Sequence, residues 1–194
     1  AGRIAPLLKV ARDSGLSIVH APGRQVALQH PNWVRMIGED EVEWPVRDVW
    51  PPRDFVEKKG PYAGFDHPVE PRQPELDVRI KARKFHPLAE PVGDEPVVAN
   101  GEELHRYCRE KGFLFLVYLG FNTNYCIVLN DYGTVHMSNR GYSVILLRDC
   151  TTGMESFETL PRLGQTQTII QHLEMSKRFT LTAPELIAAL LGRG

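Results

Sequence analysis

The chain has 194 residues, 42% hydrophobic and 24% charged, which are the proportions of an ordinary globular domain. Its 23 Lys and Arg residues nearly balance its 24 Asp and Glu residues, and the net charge of −1 argues against a nucleic-acid or anionic-membrane partner. No apolar run reaches the roughly 18–20 residues of a membrane helix. Residues 1–13 lack the continuous apolar stretch of a signal peptide.

The cysteine content indicates a reducing compartment. The three cysteines are odd in number and form no CxxC pair: Cys108, Cys126 and Cys150. Neither a disulfide framework nor a structural zinc site is therefore expected. The histidines are scattered, and His20 and His86 are expected to be structural or rim residues rather than ligands. We expect a cytoplasmic protein without a metal or other cofactor.

The first part of the chain predicts a helix followed by a strand. Apolar residues recur at helical spacing over residues 4–14, and Gly15 ends this helix. Residues 16–21 are then expected to form a strand.

Residues 22–76 differ in composition from the rest of the chain. They are rich in proline and contain three tryptophans, namely Trp33, Trp44 and Trp50. We predict an irregular insert within one domain that spans residues 1–194. A functional lid or partner-binding arm and a partly ordered surface insert both remain open.

The second half of the chain alternates predicted strands and helices. Strands are expected at residues 77–80, 113–119, 142–147 and 179–182, and helices at residues 100–112, 126–139, over much of 155–175 and at 183–191. A capping box, Thr182 with Glu185, marks the start of the last helix. This alternation predicts an α/β fold with a parallel sheet and helices on both faces.

The segment from Gly120 to Cys126 is the strongest candidate site. Gly120 ends the apolar run 113–119, which has the length of a buried parallel strand. Thr123 is expected to cap the next helix, which places Cys126 in its first turn. The positive end of a helix favours the thiolate, and its unpaired N–H groups are suited to receive an oxyanion. The alternative is that Cys126 is a small buried hydrophobic residue. Its position at the carboxyl end of a strand favours a nucleophile.

Other polar residues follow the predicted strands. Lys81 would hold a thiolate or a substrate carbonyl by its charge, and Lys84 is a second candidate for that role. The alternative is that both are solvated surface lysines. Asp149 is either a catalytic carboxylate or, as we prefer, a cap for the following turn. Asn122 and Asn124 flank Thr123 and are candidates for binding polar substrate groups.

These motifs resemble one known superfamily. The segment Gly120–Cys126 resembles the nucleophile motif of the isochorismatase-like cysteine hydrolases, which include nicotinamidases and N-carbamoylsarcosine amidases. Residues 141–151 resemble the next strand and turn of that superfamily, and Lys81 ahead of Phe85 resembles its lysine segment. The resemblance runs in order from about residue 4 to residue 160.

The resemblance implies a fold and a site. It implies a three-layer α/β/α sandwich with a mainly parallel, Rossmann-like sheet, and a Cys–Lys–Asp triad in which Lys81 supports the Cys126 nucleophile. It also implies a cis peptide bond between Phe121 and Asn122, with backbone N–H groups near Asn122 and Tyr125 aimed at the oxyanion. No catalytic metal is mapped onto this chain.

The aspartate of that triad has no counterpart in residues 1–194. The resemblance places it at the end of a strand that would precede the helix starting near Ile4. Either the sequence is a fragment that lacks upstream residues, or the protein is a divergent member without the acid. Packing favours the first explanation, because loss of a central strand leaves two strand edges unpaired inside a core.

The functional expectation is a hydrolase. It would cleave the C–N bond of a small amide or carbamoyl substrate through a Cys126 thioester, as a homo-oligomer with no nucleic-acid or membrane partner. The alternative is a non-catalytic binding or scaffold protein of the same fold. The missing acid and the aromatic-rich insert favour that alternative.

Overall fold

The computed structural model describes residues 2–35, 50–68 and 70–192. It contains a parallel sheet of three strands. The strands are β1 (Phe115–Phe121), β2 (Ser143–Thr152) and β3 (Phe179–Leu181), in the order β1-β2-β3. The chain divides into two units, residues 1–36 with 85–194, and residues 37–84. The sheet belongs to the first unit, as do residues 24–35 of the predicted insert. Trp44 lies outside the described residues.

Helices occur in both units. In chain order they are α1 (Ile4–Asp13), α2 (Arg24–Ala27), α3 (Arg53–Val56), α4 (Gln73–Lys81), α5 (Gly101–Lys111), α6 (Cys126–Leu129), α7 (Thr134–Asn139), α8 (Gly164–Met175) and α9 (Ala183–Leu190). Short 3₁₀ turns lie at Gly60–Phe65, Pro87–Ala89 and Leu160–Arg162. Within the described ranges, no helix is long and apolar enough to cross a membrane.

The two faces of β2 carry separate apolar clusters. On one face, Leu147 and Cys150 pack with α1 and α9 through residues that include Leu7, Leu8 and Ala183. On the other face, Val144 packs with α5 and α7, and Leu146 packs with α8; these contacts involve Leu104, Cys108, Met137, Ile170 and Leu173. The predicted α/β architecture, with helices on both faces of a parallel sheet, is confirmed.

Three predicted helices are confirmed, together with the reasons that they form. α1 buries the regularly spaced Ile4, Leu7, Leu8 and Ala11. At the start of α5 the Asn100 side chain accepts a hydrogen bond from the Glu103 N–H. Thr182 and Glu185 form the expected capping box of α9.

The predicted strand at residues 77–80 is wrong, because these residues lie in α4. Pro74 sits in the first turn, Glu75 lies near the positive end, and Arg79 and Lys81 lie near the negative end of this helix. A window of four residues is too short to separate a strand from a helix by its pattern.

Two further helices are shorter than expected. The helix predicted over residues 126–139 is two short helices, α6 and α7, with a turn at Asn130–Gly133 between them. The helix expected over much of residues 155–175 begins only at Gly164.

The strand β1 forms as predicted, but the expectation that it is buried is wrong. None of its seven residues is buried, whereas β2 has five buried residues. The predicted strand at residues 16–21 is reduced to an isolated parallel bridge between His20 and Val97. β1 is therefore an edge strand of the described sheet.

Candidate active site

Cys126 is the first residue of α6, just beyond the carboxyl end of β1, and its side chain is partly buried. The pairing of β1 with β2 shifts in register between Tyr118 and Gly120, so that Gly120 lies opposite Thr151. Gly120 has φ of +116°, a conformation that side chains rarely allow. This irregularity turns the chain from the strand into the segment that carries Cys126.

Thr123 anchors this segment to β2 and does not cap a helix, so the predicted capping role is wrong. Its side chain is fully buried, with Oγ1 2.6 Å from Oγ1 of Thr151. Its N–H donates to the Thr152 carbonyl at 3.2 Å. The residue at the cap position of α6 is Tyr125, whose side chain makes no capping bond.

The backbone around Asn122 is arranged as a tight turn. The Phe121–Asn122 peptide bond is cis, as the resemblance implied. The Asn122 carbonyl accepts hydrogen bonds from the N–H groups of Tyr125 (3.2 Å) and Ile127 (3.0 Å). The Tyr125 N–H therefore already donates to an acceptor within the protein.

Two other N–H groups in this turn remain available to a substrate. Those of Asn124 and Cys126 donate to no acceptor within the part of the chain that the structure describes. They lie in the same turn as the Cys126 sulfur, which is where an oxyanion would need donors.

Asn124 links the cysteine segment to the loop that follows β2. Its Nδ2 donates to the Met154 carbonyl at 2.9 Å, and its Oδ1 accepts from the Met154 N–H at 2.8 Å. Both ends of the amide are engaged, so the primary contact of Asn124 is structural. Its predicted contact with substrate stays a prediction.

The loop after β2 is held in turn by α8. Gly153 N–H donates to Oγ1 of Thr166 at 2.8 Å, and the Glu155 carboxylate accepts from the N–H groups of Gln165 and Thr166. Burial opposes the ionisation of Glu155. Hydrogen bonds, of which the one from the Thr166 side chain is the largest, outweigh the effect of burial and lower the pKa of Glu155 to about 2. Glu155 is therefore an ionised cap at the first turn of α8.

A buried phenol lies beside the nucleophile candidate. Burial raises the pKa of Tyr132 to about 12, and a negative charge on the neighbouring Cys126 sulfur adds to this shift. Its hydroxyl accepts a hydrogen bond from the Asn130 amide. Sequence reasoning missed both residues, because it placed them inside one continuous helix.

Lys81 does not follow a strand. It is the exposed last residue of α4, and Lys84 lies three residues further in the same unit of residues 37–84. In the first unit, the extended stretch that pairs with His20 contains Val97 and leads to Asn100, which caps α5. The role of Lys81 stays a prediction.

Asp149 lies inside β2, which continues to Thr152, so the expected turn after residue 149 is wrong. Its Oδ1 accepts from the N–H of Ala183 at 2.8 Å, and Oδ2 lies 3.4 Å from the Arg3 guanidinium. Asp149 therefore caps α9 rather than its own turn. The structure gives it structural contacts on both oxygens.

A partly buried ionic cluster, which the sequence did not predict, lies at the end of the 16–20 stretch. Glu95 is bound by Arg12 through two nitrogens (2.6 and 2.9 Å) and by Nε2 of His20 (2.8 Å). Burial, the largest effect, lowers the pKa of His20 despite this contact. The partners lie 75 or more residues apart in sequence, so no local pattern signals them.

A second buried carboxylate organises the start of α5. Glu103 accepts hydrogen bonds from the Trp33 indole N–H (2.9 Å) and the Ala99 N–H (2.6 Å). His86 caps its own 3₁₀ turn by accepting from Leu88 N–H, as a structural histidine. Among the described residues, no three His, Cys, Asp or Glu side chains are grouped as metal ligands, and the three cysteines are free.

Comparison with protein families identifies the domain. The family model for the isochorismatase domain matches residues 1–161. The chain belongs to the isochorismatase family. This membership confirms the resemblance and supports a hydrolase. No curated protein sequence matches the chain significantly.

Solved structures share the fold of this isochorismatase-family chain. A cysteine hydrolase from Pseudomonas syringae pv. phaseolicola 1448A matches with a TM-score of 0.62 at 14% identity, covering 100% of this chain and 80% of that one. An isochorismatase family protein from Desulfovibrio vulgaris subsp. vulgaris str. Hildenborough matches with a TM-score of 0.56 at 16% identity, covering 98% and 83%. An isochorismatase from Pseudomonas putida KT2440 matches with a TM-score of 0.54 at 18% identity, covering 95% and 75%. At these identities the likeness concerns the fold.

Proposed function

We propose that this isochorismatase-family protein hydrolyses a C–N bond in a small amide or carbamoyl compound, with Cys126 as the nucleophile. The observation that carries the proposal is the position of Cys126. It follows β1 in a turn that is anchored to β2 by Thr123, and the N–H groups of Asn124 and Cys126 in that turn have no described acceptor. A nucleophile beside unpaired donors is the arrangement that acyl transfer requires.

The proposed reaction has two steps. The Cys126 thiolate attacks the carbonyl carbon, the carbonyl oxygen becomes an oxyanion, and the free N–H groups stabilise it. The oxyanion re-forms the carbonyl, the C–N bond breaks, and the amine leaves with a proton. Water then attacks the thioester and loses a proton. The C–S bond breaks, and the carboxylic or carbamic acid leaves as the thiolate is restored.

Lys81 is proposed to support the thiolate and the developing charge. Lys81→Met should then lower kcat, whereas Lys84→Met, a matched exposed lysine of the same unit, should not. Equal kinetics for the two variants would remove Lys81 from the reaction. A homo-oligomeric, cytoplasmic enzyme remains our expectation, which gel filtration and cell fractionation test.

The decisive experiment measures ammonia or amine release from a panel of small amides and carbamoyl compounds. The protein should carry its native residues upstream of Ala1, where the gene encodes them. Cys126→Ala should abolish release, whereas Cys108→Ala, which alters a buried cysteine packed against α7 and β2, should retain it. Circular dichroism verifies that both variants fold. Full release by Cys126→Ala would overturn the proposal.

A second candidate is a non-catalytic binding or scaffold protein of the same family. In the described part of the chain, no acid, histidine or lysine side chain hydrogen-bonds to Cys126, and this observation favours the alternative. Labelling with iodoacetamide at neutral pH distinguishes the two. A nucleophile should be alkylated faster than a free cysteine in a denatured control, and a scaffold cysteine should not.

A further inference from the structure

The phenol of Tyr132 is buried in the turn that follows α6, the helix that begins with Cys126. Only 7% of Tyr132 is exposed. Its hydroxyl oxygen accepts a hydrogen bond from the side-chain amide of Asn130, but its own O–H donates to no acceptor in the part of the chain that the structure describes. A buried donor without an acceptor is costly, so this O–H is a group whose partner remains to be found.

The backbone brings Tyr132 back towards Cys126. Gly133 packs so tightly against α6 that a Cβ at this position would lie 2.9 Å from the carbonyl oxygens of both Ile127 and Val128. The residue after Tyr132 therefore lies against the residue after Cys126. A charge on the Cys126 sulfur accordingly acts on the Tyr132 phenol.

The position of the phenol is fixed along its whole length. The Tyr118 hydroxyl donates to the Tyr132 carbonyl at 2.8 Å, and Asn130 holds the hydroxyl at the far end of the side chain. The preceding carbonyl, that of Asp131, packs against Gly101 of α5 with no room for a Cβ. Only the hydroxyl proton keeps its freedom, because it rotates about the C–O bond.

We propose that Tyr132 stabilises the ionised form of the nucleophile, because its O–H donates a hydrogen bond to the sulfur when Cys126 is a thiolate. This inference rests on the proposed function, since it gives Tyr132 a role only where Cys126 reacts as a nucleophile. A hydrogen bond to a charged acceptor favours the charged form. The Asn130 amide, which donates to the same phenol oxygen, polarises the O–H and strengthens this bond.

The phenol keeps its proton throughout. Burial, and next the charge of Cys126, raise the pKa of Tyr132 to about 12. Tyr132 is therefore a donor at every pH at which cysteines ordinarily react. The proton that Cys126 loses on ionisation goes to solvent, and none is transferred to or from Tyr132.

Other titratable groups lie on the elements around this turn. α6 contacts β1 and α7 and packs against α8, and Tyr132 packs against α5. A comparison of variants that differ only in the phenol leaves all of these groups in place. They include Asp131 in the turn itself, Tyr118 on β1, His136 on α7, His172 and Glu174 on α8, and Glu103 on α5.

The test measures how the rate at which iodoacetamide alkylates Cys126 depends on pH, with the modified peptide quantified by mass spectrometry. The midpoint of this profile reports the formation of the thiolate. In Tyr132→Phe we expect the midpoint to rise by about one pH unit, which means about tenfold less thiolate at any pH well below the midpoint. The midpoint is a better readout than the rate, because a more basic thiolate is also more nucleophilic.

Tyr142→Phe is the matched control. Tyr142 packs against the same apolar cluster as Tyr132, and its hydroxyl lies 2.9 Å from Nδ1 of His105 rather than near Cys126. This variant should leave the alkylation midpoint unchanged. Circular dichroism verifies that both variants fold.

Two further replacements change the strength of the donor. A ring-fluorinated tyrosine at position 132 has a more acidic O–H, so the midpoint should fall below that of the unmodified protein. A purely structural role of Tyr132 predicts no fall. Asn130→Ala should raise the midpoint by less than Tyr132→Phe does, and it should add nothing in the Tyr132→Phe background.

An unchanged midpoint in folded Tyr132→Phe overturns the proposal, and so does an equal rise in Tyr142→Phe. If Tyr132→Phe does not fold, the fluorinated protein decides, and a midpoint that does not fall overturns the proposal. The proposed function is tested separately. Amide release that Cys126→Ala abolishes would support the hydrolase even where Tyr132→Phe leaves the midpoint unchanged. The expected midpoint shifts in a protein that releases nothing from any substrate would support the hydrogen bond and count against the hydrolase.

Discussion

Asn124 and Met154 hold each other through both ends of the Asn124 amide, with hydrogen bonds of 2.9 and 2.8 Å to the Met154 backbone. This pair joins the segment that carries Cys126 to the loop that follows β2. The same loop is bound to α8 through Gly153 and Thr166. The position of the nucleophile candidate therefore depends on a hydrogen-bonded connection outside its own turn.

Asn124→Ala removes both of these hydrogen bonds. At about 1 kcal/mol for each bond, we expect a loss of about 1–3 kcal/mol of unfolding free energy and a lower kcat on any confirmed substrate. Asn139→Ala, at an exposed asparagine at the end of α7, is the matched control and should change neither quantity. Urea unfolding and kinetics check the prediction. Unchanged stability and kcat in Asn124→Ala would show that the link does not position Cys126.

Gly153→Ala should disturb the same link by crowding. A Cβ at this position would lie 2.9 Å from Oδ1 of Asn124 and 3.3 Å from Oγ1 of Thr166. Oδ1 cannot move away from this Cβ without breaking its hydrogen bond from the Met154 N–H. We therefore expect a loss of about 1–3 kcal/mol of unfolding free energy, measured by urea unfolding. Gly64→Ala, where no atom lies within 4 Å, is the control.

A double variant separates this clash from a general backbone effect. With Asn124→Ala in place, the Cβ of Gly153→Ala no longer meets the amide oxygen. The double variant should therefore lose less unfolding free energy than the sum of the losses in the two single variants. If the two losses of unfolding free energy add, Gly153→Ala destabilises the fold through a contact other than the one with Asn124.

The sequence predicted the elements whose signals are local. α1, α5 and α9 carry regular apolar spacing or caps within a few residues, and all three are confirmed. The segment around Cys126 was found from a strand followed by glycine and a polar turn, which are also local signals. The contacts of Thr123 and Asn124 with β2 and its following loop span about 30 residues, and no pattern in the sequence encodes them.

The errors also have physical causes. Lys81 was placed after a strand because residues 77–80 were interpreted as a short strand, but Pro74 and the charges at both ends favour α4. β1 was expected to be buried because its sequence is apolar, whereas burial depends on what lies beside its outer edge. Asp149 was assigned to its own turn because the helix that it caps begins 34 residues later.

Glu103→Gln tests the buried carboxylate at the start of α5. Glutamine retains one oxygen acceptor but places an NH₂ donor against either the Ala99 N–H or the Trp33 indole N–H. We expect a loss of about 1–3 kcal/mol of unfolding free energy, together with altered Trp33 fluorescence. Glu110→Gln, on the exposed part of the same helix, is the control. An unchanged emission spectrum would mean that the indole bond is not made in solution.

Glu95→Gln tests the partly buried ionic cluster through the pH dependence of stability. Burial opposes ionisation of Glu95, but the hydrogen bonds from Arg12 and His20 outweigh it and lower its pKa from 4.5 to about 2. Because the folded pKa is depressed, Glu95 stabilises the fold above about pH 4.5, and this contribution is lost as the pH falls towards 2. A pKa lowered by that amount corresponds to about 3 kcal/mol.

The pKa of His20 is also lowered, chiefly by burial, so its protonation favours the unfolded chain below the ordinary value of 6.5. Both groups therefore make the fold less stable as the pH falls. We expect Glu95→Gln to lose about 2–3 kcal/mol at pH 7, with a difference from the unmodified protein that shrinks below pH 4.5. Urea unfolding at several pH values measures it, with Glu90→Gln at an exposed position as the control. A difference that stays constant from pH 7 to pH 3 would show that the Glu95 charge does not stabilise the cluster.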